Sequence, residues 1–181
     1  MRNLLLLAIL LATVSLSAQP DRWQQRAEYA MEIDMNVKKN QYTGKQILTY
    51  YNNSPDTLHR VFYHLYFNAF QPGSMMDVRN LNLPDADRRV GDRISQLKDD
   101  EIGYIKPEAL LRDGAPQAYT VEGTVMEVVL TNPIMPGTST TFKLEWDAQV
   151  PLQIRRNGRD NAEGIEYSMA QWYPKMAEYD Y

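Results

Sequence analysis

Tyr29-Ala30-Met31-Glu32-Ile33-Asp34-Met35-Asn36-Val37 decides the fold. Tyr29, Met31, Ile33, Met35 and Val37 fall on one side of an extended chain, and Glu32, Asp34 and Asn36 on the other. A period of two is the mark of a half-buried antiparallel strand. Outward from it, Lys38-Lys39-Asn40 predicts a turn, and residues 43–51 predict the returning strand, with Ile47, Thr49 and Tyr51 alternating against Leu48 and Tyr50. Asn52-Asn53-Ser54-Pro55-Asp56 is a dense cluster of turn formers.

The pattern continues along the chain. Residues 60–67 form an apolar and aromatic run (Val61, Phe62, Tyr63, Leu65, Tyr66, Phe67), which predicts a central strand covered on both faces. Residues 68–100, with Pro72-Gly73, Pro84 and many charges, predict a long loop with one short helical piece near residues 86–97. Strand character resumes over residues 102–111, broken at Pro107, and Arg112-Asp113-Gly114 turns the chain. Residues 119–121 and 124–130 predict two more strands with Gly123 as a bulge, and Asn132-Pro133 and Pro136-Gly137 bracket another reversal. Phe142, Leu144 and Trp146 alternate against Lys143, Glu145 and Asp147 in residues 140–149. Asn157-Gly158 suits a hairpin turn, and residues 165–172 predict the last strand. Short strands at this spacing make an all-β antiparallel sandwich or saddle.

The first residues are of another kind. Arg2, the unbroken apolar run over residues 4–11 and the small residues Ser15-Leu16-Ser17-Ala18 read as a signal peptide, residues 1–18, cut ahead of Gln19. The run is shorter than the ~20 residues that span a bilayer. No cysteine follows Ala18 to take a lipid. The expected product is secreted or periplasmic and soluble, with no membrane partner after cleavage. Residues 19–27 read as a polar lead-in and residues 28–181 as one domain. The mature part keeps 163 of the 181 residues, enough for one core, and its charge moves from −4 to −5 as Arg2 is lost. That acidity argues against a nucleic-acid partner. With no cysteine in the chain, thiol chemistry and thiolate metal sites are excluded. The twelve tyrosines favour strands.

Sites with their own chemistry are scarce. His59 and His64 stand five apart in a strand segment, so alternation sends them to opposite faces, and the chain holds no His-Glu-x-x-His. No catalytic residue and no metal ligand is expected. Arg155, Arg156 and Arg159 read as an exposed hairpin tip, with a grip on an acidic partner as the competing reading. The segment Glu166-Tyr167-Ser168-Met169-Ala170-Gln171-Trp172-Tyr173-Pro174 is an aromatic strand running into a proline-stopped turn, and its rings suit core packing or an exposed platform. Seven residues after Pro174 the chain stops with no cap or completed pairing, which reads as a domain truncated at its C-terminal end.

Gln171-Trp172-Tyr173-Pro174 resembles the strand and turn that close the N-terminal domain of the aminopeptidase N-like zinc metallopeptidases (peptidase family M1). Val150-Pro151, Asn161-Ala162-Glu163-Gly164-Ile165, Tyr29-Ala30-Met31-Glu32-Ile33-Asp34, Tyr42-Thr43-Gly44-Lys45-Gln46 and Val61-Phe62-Tyr63-His64-Leu65-Tyr66 occur in the matching order. The long loop after the aromatic run is similar to that of exported bacterial members. The resemblance implies an all-β saddle packed on a zinc-bearing catalytic domain, which is missing here and would be this chain's partner, together with a peptide substrate. Zinc would belong to that domain, and this chain would carry no cofactor. The resemblance makes Gln171 and Tyr173 the substrate-binding residues: Gln171 offers its amide to the first substrate residue. At Tyr173 many members have an acidic or amide group, and a phenol departs from that pattern, so strict aminopeptidase specificity is not implied. Alone, the chain is expected to be an inactive pocket domain of a secreted peptidase. The competing expectation is a free-standing exported β-sandwich that binds a protein or polysaccharide.

Overall fold

In a computed structural model, residues 23–180 are described. The reading of residues 1–18 as a signal peptide therefore lies outside the described residues. The chain folds into β1 (Arg26–Asn36), β2 (Gln41–Tyr51), β3 (Leu58–His64), α1 (Met75–Asn82), β4 (Tyr104–Arg112), β5 (Ala115–Pro116), β6 (Thr120–Glu122), β7 (Val125–Ile134), β8 (Ser139–Gln149), β9 (Gly158–Arg159), β10 (Tyr167–Ser168) and β11 (Lys175–Met176). Two sheets carry the fold, ordered β1-β2-β8-β4-β5 and β11-β3-β7-β6, with β9 and β10 as a separate ribbon. All paired strands run antiparallel. The expected all-β sandwich is what the chain forms.

The alternation of the sequence becomes the two faces of the large sheet. Tyr42, Gly44, Gln46, Leu48 and Tyr50 of β2 and Phe142, Leu144, Trp146 and Ala148 of β8 point inward and are buried. Val61 and Tyr63 of β3 and Met126, Val128 and Leu130 of β7 meet them from the small sheet. Tyr63 and Phe142 touch edge to face across the core at 6.2 Å. The outer face of the large sheet is charged, with Lys45 of β2 beside Glu145 of β8 at 3.7 Å.

Several local expectations are corrected, each for a physical reason. The run at residues 60–67 is not one strand covered on both faces: β3 ends at His64, and Tyr66–Ala69 is a 3-10 turn. Val61, Tyr63, Leu65 and Phe67 are buried while Phe62, His64 and Tyr66 are only half-buried, so one face stays open. The helix in the long loop is α1, not a piece near residues 86–97. Ser74 caps it by accepting the Asp77 N–H at 3.2 Å, and Asp77 in return accepts the Gly73 N–H at 2.9 Å. Residues 86–97 hold turns and the 3-10 segment Ile94–Gln96, anchored by buried Val90 and Ile94.

Gly123 is no bulge. With φ of 54° it opens a two-residue turn that joins Glu122 to its partner Val125. A bulge lies in β4 between Pro107 and Ala109, where it shifts the inward side from Ile105 and Pro107 to Leu110, and β3 shifts register against β7 between Leu58 and Arg60. The break expected at Pro107 is thus a change of register within one strand. Asn132 and Pro133 lie inside β7. Asn157 and Gly158 are buried, and a Cβ on Gly158 would stand 2.4 Å from Gln153 Cα, so this is a packed crossing and not an exposed tip. Arg159 donates to Asp160 at 2.5 Å and to the Asp100 carbonyl at 2.8 Å, and Arg155 pairs with Asp87 at 3.1 Å. Arg155 and Arg156 remain exposed beside it. Only Tyr167–Ser168 of the expected last strand is paired.

Gly44 fixes the middle of the large sheet. It lies opposite Trp146, and a Cβ there would fall 2.1 Å from the indole ring. The ring occupies the space that any other residue's Cβ would need. Gly44→Ala is therefore expected to lower stability by about 1–3 kcal/mol through overpacking. Urea unfolding checks this, and an unchanged midpoint would show that the ring moves aside freely.

Candidate functional site

The aromatic segment after β10 lies across the inner face of β1 and β2. Gln171 adopts a left-handed backbone with φ of 56°, a conformation that costs a residue with a Cβ about 1–2 kcal/mol. Tight anchors on its C-terminal side hold it there. The Tyr42 hydroxyl donates to the Trp172 carbonyl. The Met176 N–H donates to the Tyr29 hydroxyl at 2.9 Å, and the Ala177 N–H to the Phe62 carbonyl at 2.8 Å. Pro174 is buried, and Lys175 and Met176 pair with His64 and Tyr63 to make β11 the edge of the small sheet.

The rings interlock. Trp172 stands edge to face with Tyr42 at 6.1 Å and with Tyr173 at 5.2 Å, and Tyr173 in turn with Tyr29 at 5.5 Å. Gln171 itself is exposed and makes no hydrogen bond through its side chain among the described residues. Gln171 and Tyr173 therefore sit on one short wall, the amide free and the phenol half-buried against β1.

Beside this wall the inner face of β1 is only partly covered. Tyr29, Met31 and Met35 are half-buried, Ile33 is 41% exposed and Val37 is 62% exposed. Ala27, Tyr29, Met31 and Met35 pack against the core, while Ile33 and Val37 stay in water. Tyr167 of β10 reaches the β1–β2 turn by donating to Asn40 at 2.6 Å.

Burial acts on the tyrosines that hold the segment. It pushes the Tyr29 phenol up to about 12 against the lowering effect of the Met176 N–H, with Tyr173 and Glu178 adding to the rise. Tyr50 is also pushed to about 12 by burial, against a bond from the Tyr179 backbone and helped by Glu178. Burial likewise raises Tyr42 and Tyr63.

His59 is exposed, whereas His64 is half-buried and stacked on Tyr66 at 5.1 Å. Burial, then Lys175, lowers the His64 pKa. Among the described residues no group of three or more His, Cys, Asp or Glu is placed to hold a metal ion. The donors present here do not fit a zinc ion. No helix among these residues is long and apolar enough to cross a membrane.

This architecture is the all-β fold of the N-terminal domain of M1 zinc metallopeptidases. The chain is similar to the M1 zinc metallopeptidase of Deinococcus radiodurans, with 16% identity and a TM-score of 0.50 over 82% of this chain and 26% of that one, in both the mutant and the unmodified enzyme. A two-domain M1 zinc metallopeptidase mutant bound to L-arginine gives 15% identity and a TM-score of 0.50, covering 83% of this chain and 27% of that one. The chain thus spans about a quarter of the length of the enzymes whose fold it shares. No protein-family model and no curated protein matches the sequence.

The tyrosine shifts carry a pH consequence. A phenol whose folded pKa lies above its unfolded value stabilises the fold fully below the unfolded value, and this is lost as pH rises through the folded one. Tyr29 and Tyr50 place that loss between pH 10.0 and about 12. Absorbance at the tyrosinate band should show these phenols ionising together with unfolding; their ionisation near pH 10.0 in a folded chain would contradict the burial.

Proposed function

We propose that this chain is the N-terminal, non-catalytic substrate-pocket domain of an exported zinc metallopeptidase of aminopeptidase type. The observation that carries this reading is the half-covered apolar stripe Met31-Ile33-Met35 running beside the rigidly held Gln171. Apolar area of this kind gains about 25 cal/mol per Å² when covered. The stripe therefore suits packing against a second domain, and Gln171 would then stand at the rim of the joint.

Gln171 would offer its amide to the first residue of a peptide, and Tyr173 would contribute a wall and no charge. The zinc and its His-Glu-x-x-His helix would lie in the domain that covers the stripe, beyond the 181 residues of this chain. Residues 1–18 would direct export to the periplasm or medium. The competing reading, a free-standing sandwich with Trp172 and Tyr173 as a sugar platform, fits less well. Those rings meet each other at 67° and are packed on Tyr42 and Tyr29, whereas a platform needs flat, open faces.

The test joins expression to a partner. The purified chain should neither cleave aminoacyl anilides nor retain stoichiometric zinc. It should associate with the catalytic domain of an M1 zinc metallopeptidase supplied as a separate polypeptide, and Ile33→Asp should abolish that association while leaving urea stability within about 0.5 kcal/mol, as expected at an exposed position. Peptide cleavage by the chain unaided, or association that Ile33→Asp leaves intact, would sink the reading.

A further inference from the structure

A second concavity lies on the other side of the small sheet and shares no residue with the Gln171 wall. Its floor is the open outer face of β3, β7 and β6, and its far wall is α1 with the segment that follows it. The cleft encloses about 1000 Å³. That is the upper end of the ~300–1,000 Å³ typical of small-ligand sites.

The apolar surface of the cleft comes from Phe62 and Val125 on the floor and from Met75, Met76 and Leu83 on the wall. Met75 is 87% exposed although it opens a helix whose one buried residue is Asp77. An eight-residue helix has little stability of its own, and in this one Met76 packs toward the core while Met75, Val78 and Leu81 stay exposed.

The charges in the cleft sort into paired and unpaired. Arg155 is neutralised by Asp87 at 3.1 Å, and Glu127 by Arg60 at 2.9 Å. The side chains of Arg79 on α1 and Glu122 at the end of β6 form no hydrogen bond or ion pair among the described residues, and both residues line the cleft. Asp85, on the α1 side, is likewise unpaired. One free cation, Arg79, and two free anions, Asp85 on the α1 side and Glu122 on the β6 side, thus line the cleft around an apolar floor.

We propose that this cleft binds a short uncapped peptide by both ends, its carboxylate on Arg79, its ammonium on Glu122 and its apolar side chains over Phe62, Val125 and Met76. A zwitterion answers Arg79 and Glu122, which come from different walls, whereas a fatty acid would leave Glu122 unanswered and a simple amine would leave Arg79 so. The site is separate from the Gln171 wall and does not depend on zinc or on a second domain.

The experiment uses the chain and four versions of one apolar tripeptide, Leu-Phe-Leu: free, N-acetylated, C-amidated and doubly capped. Binding is followed by calorimetry at low salt. The free peptide should bind most tightly, and each cap should weaken it by about fivefold, the worth of one partly exposed ion pair. Arg79→Gln should erase the discrimination against the amide and leave that against the acetyl group. Glu122→Gln should do the reverse, and Asp85→Asn should change neither. Both residues are exposed and unpaired, so the variants are expected to fold, and circular dichroism checks that they do. Equal binding of free and capped peptides would overturn the proposal, as would the absence of binding at millimolar peptide, cap penalties that survive in the variants, or tighter binding of dodecanoate. Failure here leaves the Gln171 reading standing, because the wild-type stripe and its association are measured separately.

Discussion

Two tyrosine hydroxyls on neighbouring strands hold the end of the domain in place. Tyr42 of β2 donates to the Trp172 carbonyl, and Tyr29 of β1 accepts the Met176 N–H. Without them, the segment would be held by the short pairing of β11 to β3, the Ala177 N–H on the Phe62 carbonyl and the ring contacts of Trp172 and Tyr173, with less to oppose the unfavourable backbone of Gln171. A buried hydroxyl that loses its partner costs about 1–3 kcal/mol, so these bonds are expensive to break from either side. They also bring the large sheet, the small sheet and the aromatic segment together at one corner.

The rest of the molecule is arranged so that this corner is rigid and its neighbour open. Trp146 lies over Gly44 and sets the depth of the large sheet's middle, so that Tyr42 and Leu48 on either side are fully covered. The small sheet covers β2 and β8 more fully than β1, whose Ile33 remains exposed along with Val37 just beyond it. The outcome is a strand that is apolar on its inner side and half in water. An isolated sandwich gains nothing from such a stripe, whereas a domain that continues into another structure does. The outer cleft repeats the theme on the opposite side, where α1 stands away from β7 and leaves Val125 and Phe62 uncovered.

Much of the fold was legible because period two is hard to disguise. The face assignment of Tyr29, Met31 and Met35 and of Phe142, Leu144 and Trp146 follows from alternation alone, and Asp113-Gly114 announces its turn. What could not be read that way depended on contacts between distant residues. The run from Val61 to Phe67 looks like one covered strand, yet Leu65 leaves the sheet because Asn68 must reach the Ile105 N–H and the Gly123 carbonyl. The α1 helix does carry a local signal, Ser74 followed three residues later by Asp77, set among prolines that favour a loop. The bulge at Pro107 is visible only against the register of β8. Gln171 and Tyr173 came from a resemblance, and nothing local in the sequence marks the left-handed turn, since glutamine has no preference for it. The apolar floor of the outer cleft was likewise invisible, since Phe62, Met76 and Val125 converge only in three dimensions.

Amide hydrogen exchange resolved by residue tests the clamp most directly. The Met176 and Ala177 amides should be protected as strongly as those of Val61 and Tyr63 in β3, although they stand near the last described residue. Tyr29→Phe should raise the exchange rate of Met176 by about tenfold, the loss of one hydrogen bond of ~1.4 kcal/mol, while leaving β3 unchanged. Rapid exchange at Met176 in the unaltered chain, or protection that survives Tyr29→Phe, would contradict the account.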